Sequence, residues 1–128
     1  MIKMTKKIIW ADDNQTFRES MLAQLERYCG NAHVEVEFDE ASDGKELVEK
    51  VLGAAYDLVF TDNQMTEVHG LQAISQIRER NKTVPIYMVS SSEVGKRALE
   101  VGATGYLDKQ DYDGFRSGIE TAIAKHLK

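Results

Sequence analysis

Five polar side chains stand where they could share phosphoryl or metal chemistry, because each comes at or just after the end of a short apolar run. Asp12 and Asp13 are adjacent; Asp62 follows Asp13 by 49 residues, Ser90 follows Asp62 by 28, and Lys109 follows Ser90 by 19. Two carboxylates about 4 Å apart repel by roughly 4 kcal/mol at an effective dielectric near 20, so a cluster of three needs a cation, a proton or a lysine. Oxygen ligands without histidine or cysteine favour Mg²⁺, which accepts carboxylates and leaves positions for water and phosphate.

The elements that must position these residues alternate between short apolar runs and stretches of helical periodicity. The predicted strands cover residues 7–11, 33–38, 58–60, 86–89 and 104–107. The predicted helical stripes are Phe17, Met21, Leu25 and Tyr28; Leu47, Val51 and Ala54 or Ala55; Leu71, Ile74 and Ile77; Val94, Ala98 and Val101; and Tyr112, Phe115, Ile119, Ile123 and Leu127. Five strands alternating with five helices predict an α/β fold, a doubly wound parallel sheet whose ligands bind at the carboxyl ends of the strands. The alternation of Val and Phe with Glu over 33–38 predicts an edge strand.

Length and charge restrict the class of protein. The chain has 128 residues, which favours a single domain over 1–128, and its net charge of −5 argues against direct nucleic-acid binding. The lone cysteine, Cys29, cannot form an internal disulfide, and the apolar run near the amino terminus is too short for a signal peptide or a membrane span. We therefore expect a cytoplasmic protein with no membrane partner.

The residues after the first strand separate rival functions that use similar folds. A dinucleotide-binding protein needs a glycine-rich loop there, and a flavodoxin-like carrier needs a loop that accepts an anion, whereas this chain has Asp12, Asp13 and Asn14. A small Mg²⁺-dependent phosphohydrolase with an aspartyl nucleophile is a closer alternative. Such enzymes usually carry an Asp-x-Asp pair, but position 64 is Gln, and no insertion is long enough to form a substrate cap. A scaffold that binds partners without phosphorylation is a third alternative.

The order of these motifs resembles the receiver domain of bacterial response regulators, and in particular its stand-alone, CheY-like form. The resemblance extends from about residue 6 to residue 127. Its motifs are Asp12-Asp13, Asp62 followed by Met65 and Gly70, Ser90, and the run from Gly102 and Ala103 through Gly105, Tyr106 and Leu107 to Lys109. It implies the flavodoxin-like strand order 2-1-3-4-5.

The resemblance also implies a role for each residue. Asp62 would accept a phosphoryl group from a phosphohistidine on a sensor histidine kinase or a histidine phosphotransfer protein. Asp13, Asp62 and the backbone carbonyl of Gln64 would ligate Mg²⁺, with Asp12 acting mainly through a bound water, and Lys109 would pair with the phosphoryl oxygens. The switch is implied to be Ser90 and Tyr106, which change the face formed by the fourth helix, fifth strand and fifth helix for a downstream target protein. The chain would then be a signalling switch rather than an enzyme.

Three positions depart from the usual family pattern: Thr66 and Gln110 replace prolines, and Ser91 stands where Ala or Gly often follows the switch hydroxyl. Because a non-proline cis peptide bond costs roughly 2.5–4 kcal/mol, we expect the bond between Lys109 and Gln110 to be trans, with Lys109 still directed into the acidic cluster. We expect no chemical role for Asp57, which precedes a strand.

Overall fold

The computed structural model describes residues 5–128, apart from the side chain of Ser92, so the first four residues of the expected domain lie outside the described part. The strands are β1 (Lys6–Ala11), β2 (Val36–Ala41), β3 (Leu58–Asp62), β4 (Ile86–Ser90) and β5 (Gly105–Asp108). The helices are α1 (Gln15–Asn31), α2 (Gly44–Gly53), α3 (Gly70–Arg78), α4 (Ser92–Glu100) and α5 (Tyr112–Leu127). Within the described residues, no helix combines the length and the apolar character needed to cross a bilayer.

The five strands form one parallel sheet in the order β2-β1-β3-β4-β5, which confirms the predicted fold class and strand order. β3 is the middle strand, β1 lies between β3 and β2, and β2 lies at one edge as its alternating sequence predicts. The register aligns Ala11 with Thr61 and Asp62 with Val89. As a result, the residues at and just after the carboxyl ends of β1, β3 and β4 meet along the edge of the sheet that these strand ends form.

Two apolar clusters, one on each face, hold the helices against the sheet, because successive side chains of a strand point to opposite faces. In β1, Ile8 and Trp10 pack with α1 and α5, whereas Ile9 and Ala11 pack with α2, α3 and α4. The segments of β1 and β3 that are buried on both faces, residues 8–11 and 58–60, consist of apolar residues.

Side-chain caps begin three of the helices close to the strand ends. The Asn14 side chain accepts from the Phe17 N–H at α1, Asp43 accepts from Glu46 at α2, and Asp111 accepts from Gly114 at α5. Each cap satisfies an N–H group that has no partner inside the helix. The caps of α1 and α5 fix how the chain leaves the loops that follow β1 and β5.

The structure corrects several predicted boundaries. β2 begins at Val36 and continues to Ala41, three residues later than the predicted strand at both ends. The chain between α1 and β2 turns at His33, whose φ is +59°, and this turn delays the pairing with β1. Ala54 is the C-cap of α2 rather than part of its buried stripe, and Tyr112 is 67% exposed at the start of α5.

Candidate functional site

Three carboxylates meet at the carboxyl edge of the sheet. Asp12 and Asp13 follow β1, Asp62 ends β3, and one oxygen from each of the three lies within 4.8 Å of the others. The pairing of Ala11 with Thr61 places Asp12 beside Asp62. The three residues differ in exposure, since the Asp12 and Asp62 side chains are 2% and 14% exposed whereas Asp13 faces solvent. The proximity expected from the sequence is confirmed.

Lys109 provides positive charge to this cluster. Its ammonium Nζ lies 3.3 Å from Asp62 Oδ1 and 3.7 Å from Asp12 Oδ2. No cis peptide bond occurs among residues 5–128, so the bond to Gln110 is trans as predicted, and the lysine still reaches the carboxylates. The Lys109 backbone N–H also donates to the Ser90 carbonyl at 3.3 Å, which joins the loop after β5 to the end of β4.

Asp62 is held by its own loop and by the start of α3. Its Oδ1 accepts from the Asn63 N–H at 2.9 Å, and the Thr61 hydroxyl donates to its backbone carbonyl at 2.9 Å. Gly70 lies against the backbone of Asp62 and Asn63, where a Cβ atom would overlap the Asp62 carbonyl. Burial raises the pKa of the Asp62 carboxyl; Lys109 opposes this effect, and the neighbouring Asp12 carboxylate reinforces it. The aspartate is therefore poorly suited to carry its charge without a further cation.

Arg18 is a buried residue of the site that sequence reasoning missed. Its Nη1 donates to the Asp12 backbone carbonyl at 2.6 Å, and its Nε donates to Glu40 Oε1 at 2.7 Å, so it links α1, β2 and the acidic loop. The buried residues of α1 are Arg18, Met21, Leu25 and Cys29. Their spacing of three, four and four residues is itself helical, so an arginine on this stripe was a detectable signal that a buried partner must exist.

The two predicted switch residues lie on adjacent strands. Ser90 is buried at the end of β4, and its hydroxyl donates to the Ser91 carbonyl at 3.0 Å. Tyr106 in β5 is partly buried against the cluster that includes Met88, and its ring lies against Gly95 of α4. The Ser90 hydroxyl is thus engaged with its own loop, and the Tyr106 ring is packed against α4.

The donor set suits a hard divalent cation. Asp12 Oδ2 is buried and accepts no hydrogen bond from residues 5–128, although it lies in the ion pair with Lys109. A buried carboxylate oxygen without a hydrogen bond is costly unless a cation neutralises it. Gln64 lies in the same loop, two residues after Asp62, and its side chain is exposed. The acidic cluster could therefore bind a metal ion.

The comparisons with known proteins agree with this geometry. A sequence model of the response regulator receiver domain matches residues 8–120. The chain belongs to this family. The receiver fold is also that of the chemotaxis response regulator CheY4 of Vibrio cholerae, which superposes with a TM-score of 0.73 at 26% identity and covers 93% of this chain and 99% of its own.

Two curated relatives show how the receiver relates to longer proteins. The response regulator ArlR of Staphylococcus saprophyticus is 35% identical over 109 residues, which are 83% of this chain and 46% of ArlR. The transcriptional regulatory protein ZraR of Escherichia coli K12 is 33% identical over 88 residues, which are 66% of this chain and 20% of ZraR. The chain thus spans less than half the length of these relatives. Because some relatives are transcriptional regulators, the comparisons give no support to the expectation that nucleic acid is not a partner.

Proposed function

We propose that this receiver domain is a phosphorylation switch of a two-component system, with Asp62 as the phosphoryl acceptor. The observation that carries the proposal is the placement of Asp62 Oδ1 3.3 Å from the Lys109 ammonium in a pocket that also holds Asp12 and Asp13. A carboxylate nucleophile needs its own charge and that of the incoming phosphoryl group neutralised. Lys109 supplies positive charge directly, and the three carboxylates could hold a cation that supplies more.

The proposed donor is a phosphohistidine on a sensor histidine kinase or a histidine phosphotransfer protein. An oxygen of Asp62 forms a bond to phosphorus while the bond from phosphorus to the imidazole nitrogen breaks. The electron pair of the broken bond stays on the imidazole, and the acyl phosphate remains on Asp62. Lys109 approaches the phosphoryl oxygens, so the chain contributes positioning and charge while the partner contributes the high-energy group.

The acidic residues have a second proposed task. Asp13, Asp62 and the backbone carbonyl of Gln64 would hold Mg²⁺, with Asp12 acting mainly through a water, and the bound ion would supply charge neutralisation at the phosphoryl oxygens. The raised pKa of the Asp62 carboxyl and the buried Oδ2 of Asp12 support this assignment. A bound cation would stabilise the ionised form of Asp62 and give Asp12 Oδ2 a partner. A magnesium requirement for phosphorylation follows.

The proposed output is a change of the α4, β5 and α5 face. Ser90 would release the Ser91 carbonyl and donate its hydroxyl to a phosphoryl oxygen on Asp62. The Tyr106 ring would then turn inward behind Ser90 and leave its position against Gly95, which would reshape the surface that a downstream target protein reads.

Acetyl phosphate tests the proposed function directly. The protein is incubated with acetyl phosphate and Mg²⁺, and intact mass is measured alongside release of inorganic phosphate. We expect the gain of a single labile phosphoryl group, which is lost in Asp62→Asn and when Mg²⁺ is chelated. Multiple turnover without a stable adduct would instead indicate a phosphohydrolase, and neither adduct nor turnover would indicate a scaffold; either result overturns the proposal.

A further inference from the structure

Lys109 contacts an aromatic ring as well as two carboxylates. Its ammonium lies 4.6 Å from the centroid of the Phe17 ring, in the first turn of α1. We propose that Phe17 is a positioning residue for Lys109, which it holds over the acidic cluster through the negative face of its ring. The inference rests on the proposed function, in which Lys109 contacts the transferred phosphoryl group.

The ring is well supported by the structure beneath it. The Phe17 N–H donates to the Asn14 side chain at 3.0 Å, which fixes the residue at the start of α1. Its ring packs edge-on against Trp10 with centroids 6.4 Å apart, and Trp10 stacks on Phe60 at 4.8 Å in the buried sheet. The position of the Phe17 ring beside Lys109 is therefore fixed by the helix cap and by its contact with the buried Trp10.

Lys109 is flexible enough that an additional contact affects where its ammonium lies. The lysine side chain has a flexible four-carbon stem and is 35% exposed, so solvent competes with the carboxylates for its ammonium. The residue after it is Gln110, which lacks the fixed φ that a proline would impose on the loop into α5. Asp62 and Asp12 attract the ammonium, and the ring of Phe17 supplies a further attractive contact. Unlike Asp62, Phe17 is chemically unchanged by the proposed phosphorylation.

This contact is electrostatic as well as steric, and the two effects can be separated. Mono-, di- and trifluorinated phenylalanine at position 17 keep the ring shape but progressively weaken its negative face. We expect the rate of phosphorylation by acetyl phosphate at saturating Mg²⁺ to fall with each fluorine, by about threefold to fivefold for the trifluorinated ring. Phe17→Tyr should retain most of the rate.

Phe38 of β2 provides the matched control, because it packs against the same apolar cluster and the only described cation contacts to a ring involve Phe17 and Tyr56. Trifluorination at Phe38 should leave the rate unchanged. Equal rates across the fluorinated Phe17 series would show that the ring acts by packing alone and would overturn the inference. An equal loss on trifluorination of Phe38 would overturn it too.

A second measurement needs neither metal nor phosphoryl group, so it remains informative if the proposed function fails. The face of an aromatic ring shifts nearby protons upfield, and the protons on Lys109 Cε should therefore resonate upfield in the metal-free protein. Phe17→Leu should abolish this shift, whereas Phe17→Tyr should preserve it. Resonances of Lys109 that are the same in Phe17→Leu and wild type would remove the contact on which the inference depends.

Discussion

Gly95 of α4 lies directly against the ring of Tyr106 in β5, and a Cβ atom at this position would overlap three atoms of that ring. Glycine inside a helix costs about 1 kcal/mol relative to alanine, so nothing in the helix itself favours it here. The missing side chain allows the aromatic ring to lie directly against α4. The resting position of the proposed switch residue is therefore set by a glycine on the neighbouring helix.

Gly95→Ala should displace Tyr106. We expect the new methyl group to force the ring away from α4 and to lower the free energy of unfolding by about 1–3 kcal/mol, as is typical of overpacking. Gly30→Ala in α1 is the control, because a Cβ atom there meets nothing within 4 Å and should stabilise the helix slightly. Urea denaturation and the Tyr106 ring resonances provide the measurement. A Gly95→Ala protein of wild-type stability with an unmoved ring would contradict this account.

Ser90→Ala should separate phosphorylation from its readout. The hydroxyl is not required for attack by Asp62, so the variant should still gain a phosphoryl group from acetyl phosphate. Without a donor at position 90, amide exchange over residues 93–115 should remain close to that of the unphosphorylated protein. A full wild-type change in exchange on phosphorylation would remove Ser90 from the switch.

Asp13→Asn should weaken Mg²⁺ binding. The substitution removes one of the three carboxylates that converge within 4.8 Å, and we expect a loss of about tenfold or more in affinity, since one charged ligand is replaced by a neutral one. Asp57→Asn is the control, because Asp57 accepts from the Lys7 N–H at 2.9 Å before β3 begins, at the opposite end of the strand. Calorimetric titration decides the comparison, and equal affinity in Asp13→Asn and wild type would argue against a metal at this cluster.

Asp62→Asn should stabilise the metal-free protein at neutral pH. Burial raises the folded-state pKa of Asp62 above its ordinary value of 3.8, so the folded protein favours the neutral carboxyl. This contribution to stability is present below 3.8 and is lost as pH rises through the folded pKa. The gain from the variant should therefore appear as pH rises, reaching roughly 1 kcal/mol or a few degrees in Tm. Thermal unfolding with a chelator present measures it, and a variant less stable than wild type at pH 7 would show that the ion pair with Lys109 outweighs burial.

His126 should make stability depend on pH just below neutrality. Burial lowers the pKa of His126, with Lys125 acting in the same direction, and its Nε2 lies 2.8 Å from the Tyr87 hydroxyl. A lowered folded-state pKa means that the contribution is present above the ordinary value of 6.5 and is lost as pH falls from there through the folded value. His126→Gln should flatten the decline in the free energy of unfolding over this interval. Parallel curves for the two proteins would rule out His126 as its source.

The sequence was sufficient to predict the fold and the main site residues, but not the bounds of every strand. Hydrophobic periodicity is a local property, and it was sufficient for the number of strands and helices, the parallel sheet and the meeting of Asp12, Asp13, Asp62 and Lys109 at the strand ends. β2 was misplaced because Asp39 and Glu40 do not look like strand residues. They are stabilised there by long-range partners, since Asp39 accepts from Lys50 and Tyr56, and Glu40 accepts from Arg18.

The contact between Lys109 and Phe17 could not be read from the sequence for a related reason. The two residues are far apart along the chain, and Phe17 belongs to an apolar stripe whose simplest interpretation is core packing. Only the three-dimensional arrangement shows that the ring lies at the boundary between the core and the acidic pocket.

The placement of β2 at the sheet edge also affects the tendency of the protein to aggregate at high concentration. An edge strand carries backbone groups that can pair with the strand of another molecule, which is a route to aggregation. β2 contains Glu37, Asp39 and Glu40, so two such edges approaching each other would bring like charges together. The acidic side chains of β2 thus discourage the sheet from growing into an intermolecular one.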